Sequence, residues 1–161
     1  MILRILYKSI KANIKLAFWT RNPFNIFNNR IICKGELKIT GRIYGFRKSH
    51  IQIEPFAELL LDKGIHASEN LNIRCVNHIE IGSNCRIAPN TIISDATYKK
   101  LGTPYPELVK GMILIGKNCF IGAFNLICGE VRIFDNVIIG SHMIIRDKVI
   151  SEGTLLTQNK K

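Results

Sequence analysis

A chain of 161 residues, 47% of them hydrophobic, can bury one sizeable core and is too short for two ordinary domains. Its formal charge of +11 favours an anionic partner but does not choose among nucleic acid, a phosphate-bearing cofactor and an acidic membrane surface. Five cysteines without a Cys-x-x-Cys pair, and no secretory leader with a small-residue cleavage site, set the expectation of reduced thiols in the cytoplasm, with neither disulfides nor a zinc cluster.

The first element occupies residues 1–29. Leu3, Leu6, Tyr7, Ile10, Ile14, Ala17 and Phe18 recur at helical spacing, and Arg4, Lys8, Lys11 and Lys15 fall on a narrow strip beside them. Cations that dense within residues 1–18 argue against a transmembrane span. Ile2, Ile5 and Leu16 widen the apolar surface, so most of the girth of this basic amphipathic helix needs a cover, either a membrane interface or the protein's own core. Both readings stand at this point. Thr20 to Asn29, with Pro23 and four asparagines, reads as a linker that ends the helix.

Residues 30–150 carry a six-residue period. Ile115, Ile121, Ile127, Ile133, Ile139 and Ile145 run without a break, and the register continues upstream as Ile81, Ile87 and Ile93, as Ile53, Leu59, Ile65 and Leu71, and as Ile31, Leu37 and Ile43. Where it slips, it slips by four, as expected of insertions at corners. Four residues after the repeat position the side chain is often small or β-branched, as at Ala57, Cys75, Cys85, Thr91, Cys119, Val131, Val137 and Val149. Gly82, Gly116, Gly122 and Gly140 follow the repeat isoleucine directly, where a sharp corner asks for backbone freedom. Two inward positions in six residues make a short strand and a turn. Three such units close a triangular coil, and coils stacked at about 4.8 Å form a parallel β-helix. Cys75, Cys85 and Cys119 fall in the small inward slot and are expected to pack there. Cys33 and Cys128 fall outside it, with a structural role still expected.

Residues 31–150 resemble the hexapeptide-repeat acyltransferase family, whose repeat opens with an aliphatic residue followed by glycine. The resemblance covers about three quarters of the chain. It implies an all-β fold, a left-handed parallel β-helix, here with an N-terminal amphipathic helix and a protruding loop. It also implies a homotrimer and the activity of a sugar O-acetyltransferase.

A β-helix of like rungs has no cleft of its own, so the loop 94–112 is the first place to look for chemistry. Ile79 to Asp95 resembles the segment that leads into the catalytic loop of sugar and antibiotic O-acetyltransferases, where an Asp-His pair or a nearby histidine supplies the general base. A sugar hydroxyl attacking a thioester needs a base with a pKa near about 7 to take its proton. Here Asp95 is followed by Ala96, so the position that the resemblance gives to the catalytic base holds a methyl group. The chain is then an acetyltransferase that has lost its base at position 96, one that uses another base, or a non-catalytic binding or scaffolding relative. His50 and His78 lie in corner insertions, His66 follows a repeat isoleucine, and His142 sits three residues after Ile139. Each reads as a solvated turn residue, with His142 the best substitute if a neighbouring subunit brings its loop across.

Two further stretches, GKNCFIGAFNLI and DNVIIGSHMIIRDKV, resemble the last two coils of the acetyltransferases, which flank the pantetheine arm of CoA. The resemblance implies acetyl-CoA as co-substrate, with Ala123 and Ser141 touching the arm through backbone groups and Arg146 near the nucleotide end. Cys128-Gly129-Glu130 and Phe134 depart from the pattern, which has a proline-glycine approach and a glycine there. The implied acceptor is a sugar of a surface polysaccharide or its precursor, with N-transfer to an amino sugar as an alternative. No metal is expected, because a zinc enzyme resembling the γ-class carbonic anhydrases needs two histidines close together on one coil. Nucleic acid is not expected either, for want of aromatic and basic residues interleaved. Residues 151–161 lose the repeat and should form a loose cap.

Overall fold

The computed structural model describes residues 2–20, 29–102 and 104–158. Helix α1 (Ile2–Thr20) precedes a β-solenoid of six three-faced coils, the parallel β-helix that the period predicts. Coil 1 holds β1 (Arg30–Cys33), β2 (Glu36–Ile39) and β3 (Tyr44–Gly45); coil 2 holds β4 (His50–Ile53), β5 (Glu58–Leu61) and β6 (His66–Ala67). Coil 3 holds β7 (Asn72–Cys75), β8 (His78–Ile81) and β9 (Arg86–Ile87). In coil 4 an antiparallel hairpin, β11 (Ala96–Lys99) and β12 (Glu107–Lys110), is inserted between β10 (Ile92–Ser94) and β13 (Met112–Ile115), ahead of β14 (Phe120–Ile121). In coil 5, β15 (Leu126–Ile133) bends around a corner to serve two faces before β16 (Ile138–Ile139), and in coil 6 β17 (Ile144–Ile150) does the same before β18 (Leu155–Leu156). We call the faces A, B and C, in the order in which each coil crosses them.

Parallel pairing sets like upon like. Ile51, Ile73, Ile93, Ile127 and Ile145 stack on face A, Leu59, Ile79, Ile113 and Val131 on face B, and Ala67, Ile87, Ile121 and Ile139 on face C, all buried. The unbroken run of isoleucines from Ile115 to Ile145 is not one column. Ile115 and Ile133 lie on face B, Ile121 and Ile139 on face C, and Ile127 and Ile145 on face A. The breaks fall at different corners: Ile43 to Ile53 crosses from face C to face A, Leu71 to Ile81 from face A to face B, and Ile93 to Ile115 takes in the hairpin.

Corners are made chiefly by asparagines. Asn70, Asn84, Asn90, Asn118 and Asn136 hold φ between 56° and 60°, a region asparagine tolerates better than most residues. Their amides also join rung to rung, as Asn84 Nδ2 donates to Asn118 Oδ1 at 3.4 Å and Asn118 Nδ2 to Asn136 Oδ1 at 3.3 Å. The glycines after the repeat isoleucine serve a different need from the one expected. A Cβ on Gly122 would stand 2.7 Å from the carbonyl carbon of Gly140, so close approach of successive rungs, not positive φ, excludes a side chain there.

Helix α1 closes the open end of coil 1. Ala12 and Leu16 join the solenoid core. The helix also supplies polar partners to an edge that would otherwise lack them. The amide of Cys33 donates to Ser9 Oγ at 3.0 Å, Lys8 Nζ donates to the carbonyl of Lys34 at 3.0 Å, and Lys15 Nζ to that of Leu37 at 2.9 Å. The cover drawn from the protein's own core is therefore realised on this face of the helix. Among the described residues no helix is long and apolar enough to cross a membrane. The linker 21–28 lies outside the described residues.

Four expectations are corrected. Residues 151–158 are not a loose cap, because Leu155 and Leu156 pair with Ile138 and Ile139 and complete coil 6. Val149 points outward, since β17 runs out of the six-residue register beside the irregular stretch at Cys128–Val131. Cys33 shares the inward column of Ile53 and Cys75. His50 and His78 begin strands instead of lying in corner insertions.

Candidate functional site

The solenoid leaves its repeat where β10 ends, and Asp95 governs the exit. In coils 1 and 2 the amides that follow the face-A strand, Lys34 and Glu54, bond to carbonyls of the next coil, at Ile53 and Cys75. In coil 3 the chain that should offer such a carbonyl has turned away into the hairpin. The Asp95 carboxylate takes its place, accepting from the amide of Val76 at Oδ1 and of Asn77 at Oδ2, each at 2.7 Å. It is fully buried, with the Cys75 thiol 3.7 Å from Oδ2. Asn77 Nδ2 donates to the Gly111 carbonyl at 2.9 Å and so ties down the returning strand. Ala96, the position of the expected base, is buried at the start of the hairpin opposite Lys110. Asp95 and Ala96 are thus adjacent at the hairpin base, with the carboxylate committed to backbone amides.

The hairpin does not stand free. It lies along the A–B corner of the later coils, and Lys99 Nζ reaches Asp147 Oδ2 at 2.8 Å. Asp147 Oδ1 also accepts the amide of Glu130 at 2.9 Å. Lys99 first, then that amide, hold the Asp147 carboxyl below the usual carboxylate range. The departure at Cys128-Gly129-Glu130 has its reason here. A Cβ on Gly129, whose φ is +83°, would sit 2.2 Å from Asp147 Oδ1. Arg146, expected near a nucleotide, is exposed at this corner, with Nε donating to Cys128 Sγ at 3.5 Å.

Ala123 and Ser141 lie at the other edge of face A, on the C–A corner. The amide of Ala123 donates to Ser141 Oγ at 3.1 Å, and its carbonyl accepts the amide of His142 at 3.0 Å, so both backbone groups of Ala123 have partners within the chain. Beside them is a feature the motif comparison passed over. The corner that asparagine makes at positions 70 and 90 is made by Phe124 and His142, with φ of 59° and 60°. Bulky residues are uncommon in this region, and Phe46, Lys48 and Phe56 of the early coils share it, so the φ alone does not mark a site; the stacked pair does. The rings of Phe124 and His142 stack with centroids 5.0 Å apart and planes 5° from parallel, both exposed. The signal was available in the sequence, since each of these residues stands three after a face-C isoleucine, as Asn90 stands after Ile87.

The expected site residues therefore form two groups. Asp95, Ala96 and Arg146 belong to the hairpin corner, and Ala123 and Ser141 to the opposite edge. From His142 to Arg146 the extended chain spans about 13 Å. All five cysteines are buried and unbridged. Burial first, then the Asp95 charge, raise the Cys75 thiol; burial raises Cys33; and the Cys119 thiol together with burial raises Cys85. His78 stands between Glu58 and Glu80 on face B, and His66 stacks on Tyr44 on face C of the early coils. Comparison with known proteins adds no relative: no family model, no curated protein and no solved structure matches the chain.

Proposed function

We propose that the protein is an acetyl-CoA-dependent O-acetyltransferase acting on a sugar of a surface polysaccharide or its precursor, and that it works as a homotrimer with its sites between subunits. The observation that carries this reading is the placement of the two groups at opposite edges of one face, with the outward ladder Ile92, Leu126 and Ile144 between them. In a closed three-fold ring, the edge of one copy that bears Phe124 and His142 meets the hairpin corner of the next. The base then falls to His142 and not to position 96. Imidazole is the side-chain type suited to take a sugar hydroxyl's proton, and both rings at this corner are exposed. Arg146 and Lys99 supply positive charge for the CoA phosphates. The compartment is the cytoplasm, where acyl-CoA is at hand, at the inner face of the membrane.

Three measurements test this reading. Sedimentation should give a trimer. Calorimetry should show saturable acetyl-CoA binding, and His142→Asn should leave that binding intact while slowing acetyl transfer by about 10²-fold or more. Ala96→His should not raise transfer, because its side chain would enter a buried position.

One observation favours a second reading, a binding protein without catalysis: among the described residues the hairpin side of the site has no histidine. Absence of any saturable heat with acetyl-CoA would decide for it.

A further inference from the structure

Helix α1 has two apolar faces, and the solenoid uses one. Ala12 and Leu16 face the core, whereas Leu3, Leu6, Tyr7, Ile10, Ile14 and Phe18 are between 51% and 82% exposed. At about 100° per residue these six fall within an arc of about 120° that points away from coil 1. The arc is bordered on one side by Arg4 and Lys11, both exposed, with Lys15 and Lys8 next around the helix. The helix carries no acidic side chain. The cationic border opens into a groove of about 1080 Å3 between α1 and the first two coils. Six cations (Arg4, Lys8, Lys11, Lys15, Lys34, Lys38) line it against Glu36 and Glu58; Lys34 pairs with Glu54 and Lys38 with Glu58, so the surplus positive charge lies on the helix side, and Phe56 projects fully exposed from the far wall.

We infer that this outer face of α1 docks on an anionic phospholipid bilayer, with the apolar arc among the acyl chains and the cationic border and groove against phosphate headgroups. An apolar arc beside a one-signed cationic strip is the pattern of an interfacial helix. The charges argue against a second copy as occupant, since two such helices face to face would oppose Arg4 and Lys11 to their own counterparts without a carboxylate between them. Because α1 contacts the three strands of coil 1 and lies across the end of the solenoid, docking stands the coils upright on the membrane. The C–A corner of coil 5 is then held about 30 Å above the lipid, from four rungs plus one helix diameter. The inference keeps the peripheral location proposed above but rests on α1 and its groove, not on acyl transfer. Vesicle binding and acetyl transfer are measured separately and can fail separately.

The test is cosedimentation of the full chain with vesicles of phosphatidylcholine alone and with about one third phosphatidylglycerol, at low and high salt. The expected result is binding to the anionic vesicles, weakened by salt. Ile10→Asn should weaken it about tenfold and Lys11→Gln about fivefold, with the urea midpoint unchanged because both side chains are exposed. Three results would overturn the inference: no binding of the wild-type chain to anionic vesicles, binding indifferent to both substitutions, or a change of oligomeric mass in Ile10→Asn, which would give the arc to another copy.

Discussion

Coils 1–3 and coils 4–6 share one inward pattern and differ outside. On face C the outward column reads Tyr44, His66 and Arg86 in the early coils, then Phe120, Ile138 and Leu155 in the late ones. On face A it reads His50 and Asn72, then Ile92, Leu126 and Ile144. Coil 1 turns its C–A corner on Lys48, coils 2 and 3 on Asn70 and Asn90, and coils 4 and 5 on the stacked Phe124 and His142. An inward residue has one requirement, to fill a rung, so it repeats in every coil. Outward residues answer to whatever lies beyond the chain, and the apolar columns of the late coils are the surface that the proposed trimer would bury.

The largest expected effect breaks this contrast directly. In the trimer reading, Ile138→Asp sets a charge in the outward column of the late coils and should convert the trimer to monomer in sedimentation, with loss of acetyl transfer. His66→Asp, at the equivalent face-C position of coil 2, should leave the trimer intact. If the two substitutions behave alike, the outward difference has no bearing on assembly.

The cap sharpens the other half of the comparison. Leu16 is fully buried between α1 and coil 1, and Leu16→Ala should lower unfolding stability by about 2–5 kcal/mol in urea titration. Amide exchange should accelerate first in coil 1, whose outer edge depends on Ser9, Lys8 and Lys15. A smaller loss, about 1–3 kcal/mol, is expected of Asp95→Asn, which keeps an acceptor for one of the two amides and presents a donor to the other. Its effect should concentrate in the hairpin and spare the early coils.

The inward half of the molecule was legible in the sequence because packing repeats with the coil, and a period can be counted. Even so, the count merged columns, since six residues carry the chain from Ile139 on face C to Ile145 on face A as readily as along a regular hexad. The outer half was less legible. Nothing local distinguishes Asp95 as a substitute for a missing carbonyl, because the amides it serves are 19 and 18 residues away. Resemblance grouped Arg146 with Ala123 and Ser141 along the CoA arm and kept Asp95 and Ala96 apart as the catalytic position, whereas the fold sets Arg146 at the hairpin corner and Ala123 and Ser141 across the width of face A. The two-sided use of α1 was visible as surplus apolar surface on the helix, but which face meets the core depends on coil 1.

The smallest effect concerns the link between the hairpin and the last coil. The Asp147 carboxyl is held below its ordinary range, so its contribution is present above about pH 4, where the unfolded chain is also ionised, and fades as pH falls through the lowered native value. Lys99 and Asp147 retain side-chain exposures of 44% and 31%, and solvent screening limits their pair to at most about 1 kcal/mol. Lys99→Ala should therefore differ most from the wild type near neutral pH, and the gap in urea midpoint should close in acid as Asp147 takes up its proton. A gap that persists below about pH 3 would mean that Lys99 holds the hairpin by packing its methylenes on the corner. In that case the tie between coil 4 and coil 6 would be insensitive to charge, unlike the ion pairs that cross the early coils, such as Lys34–Glu54 and Arg47–Glu69.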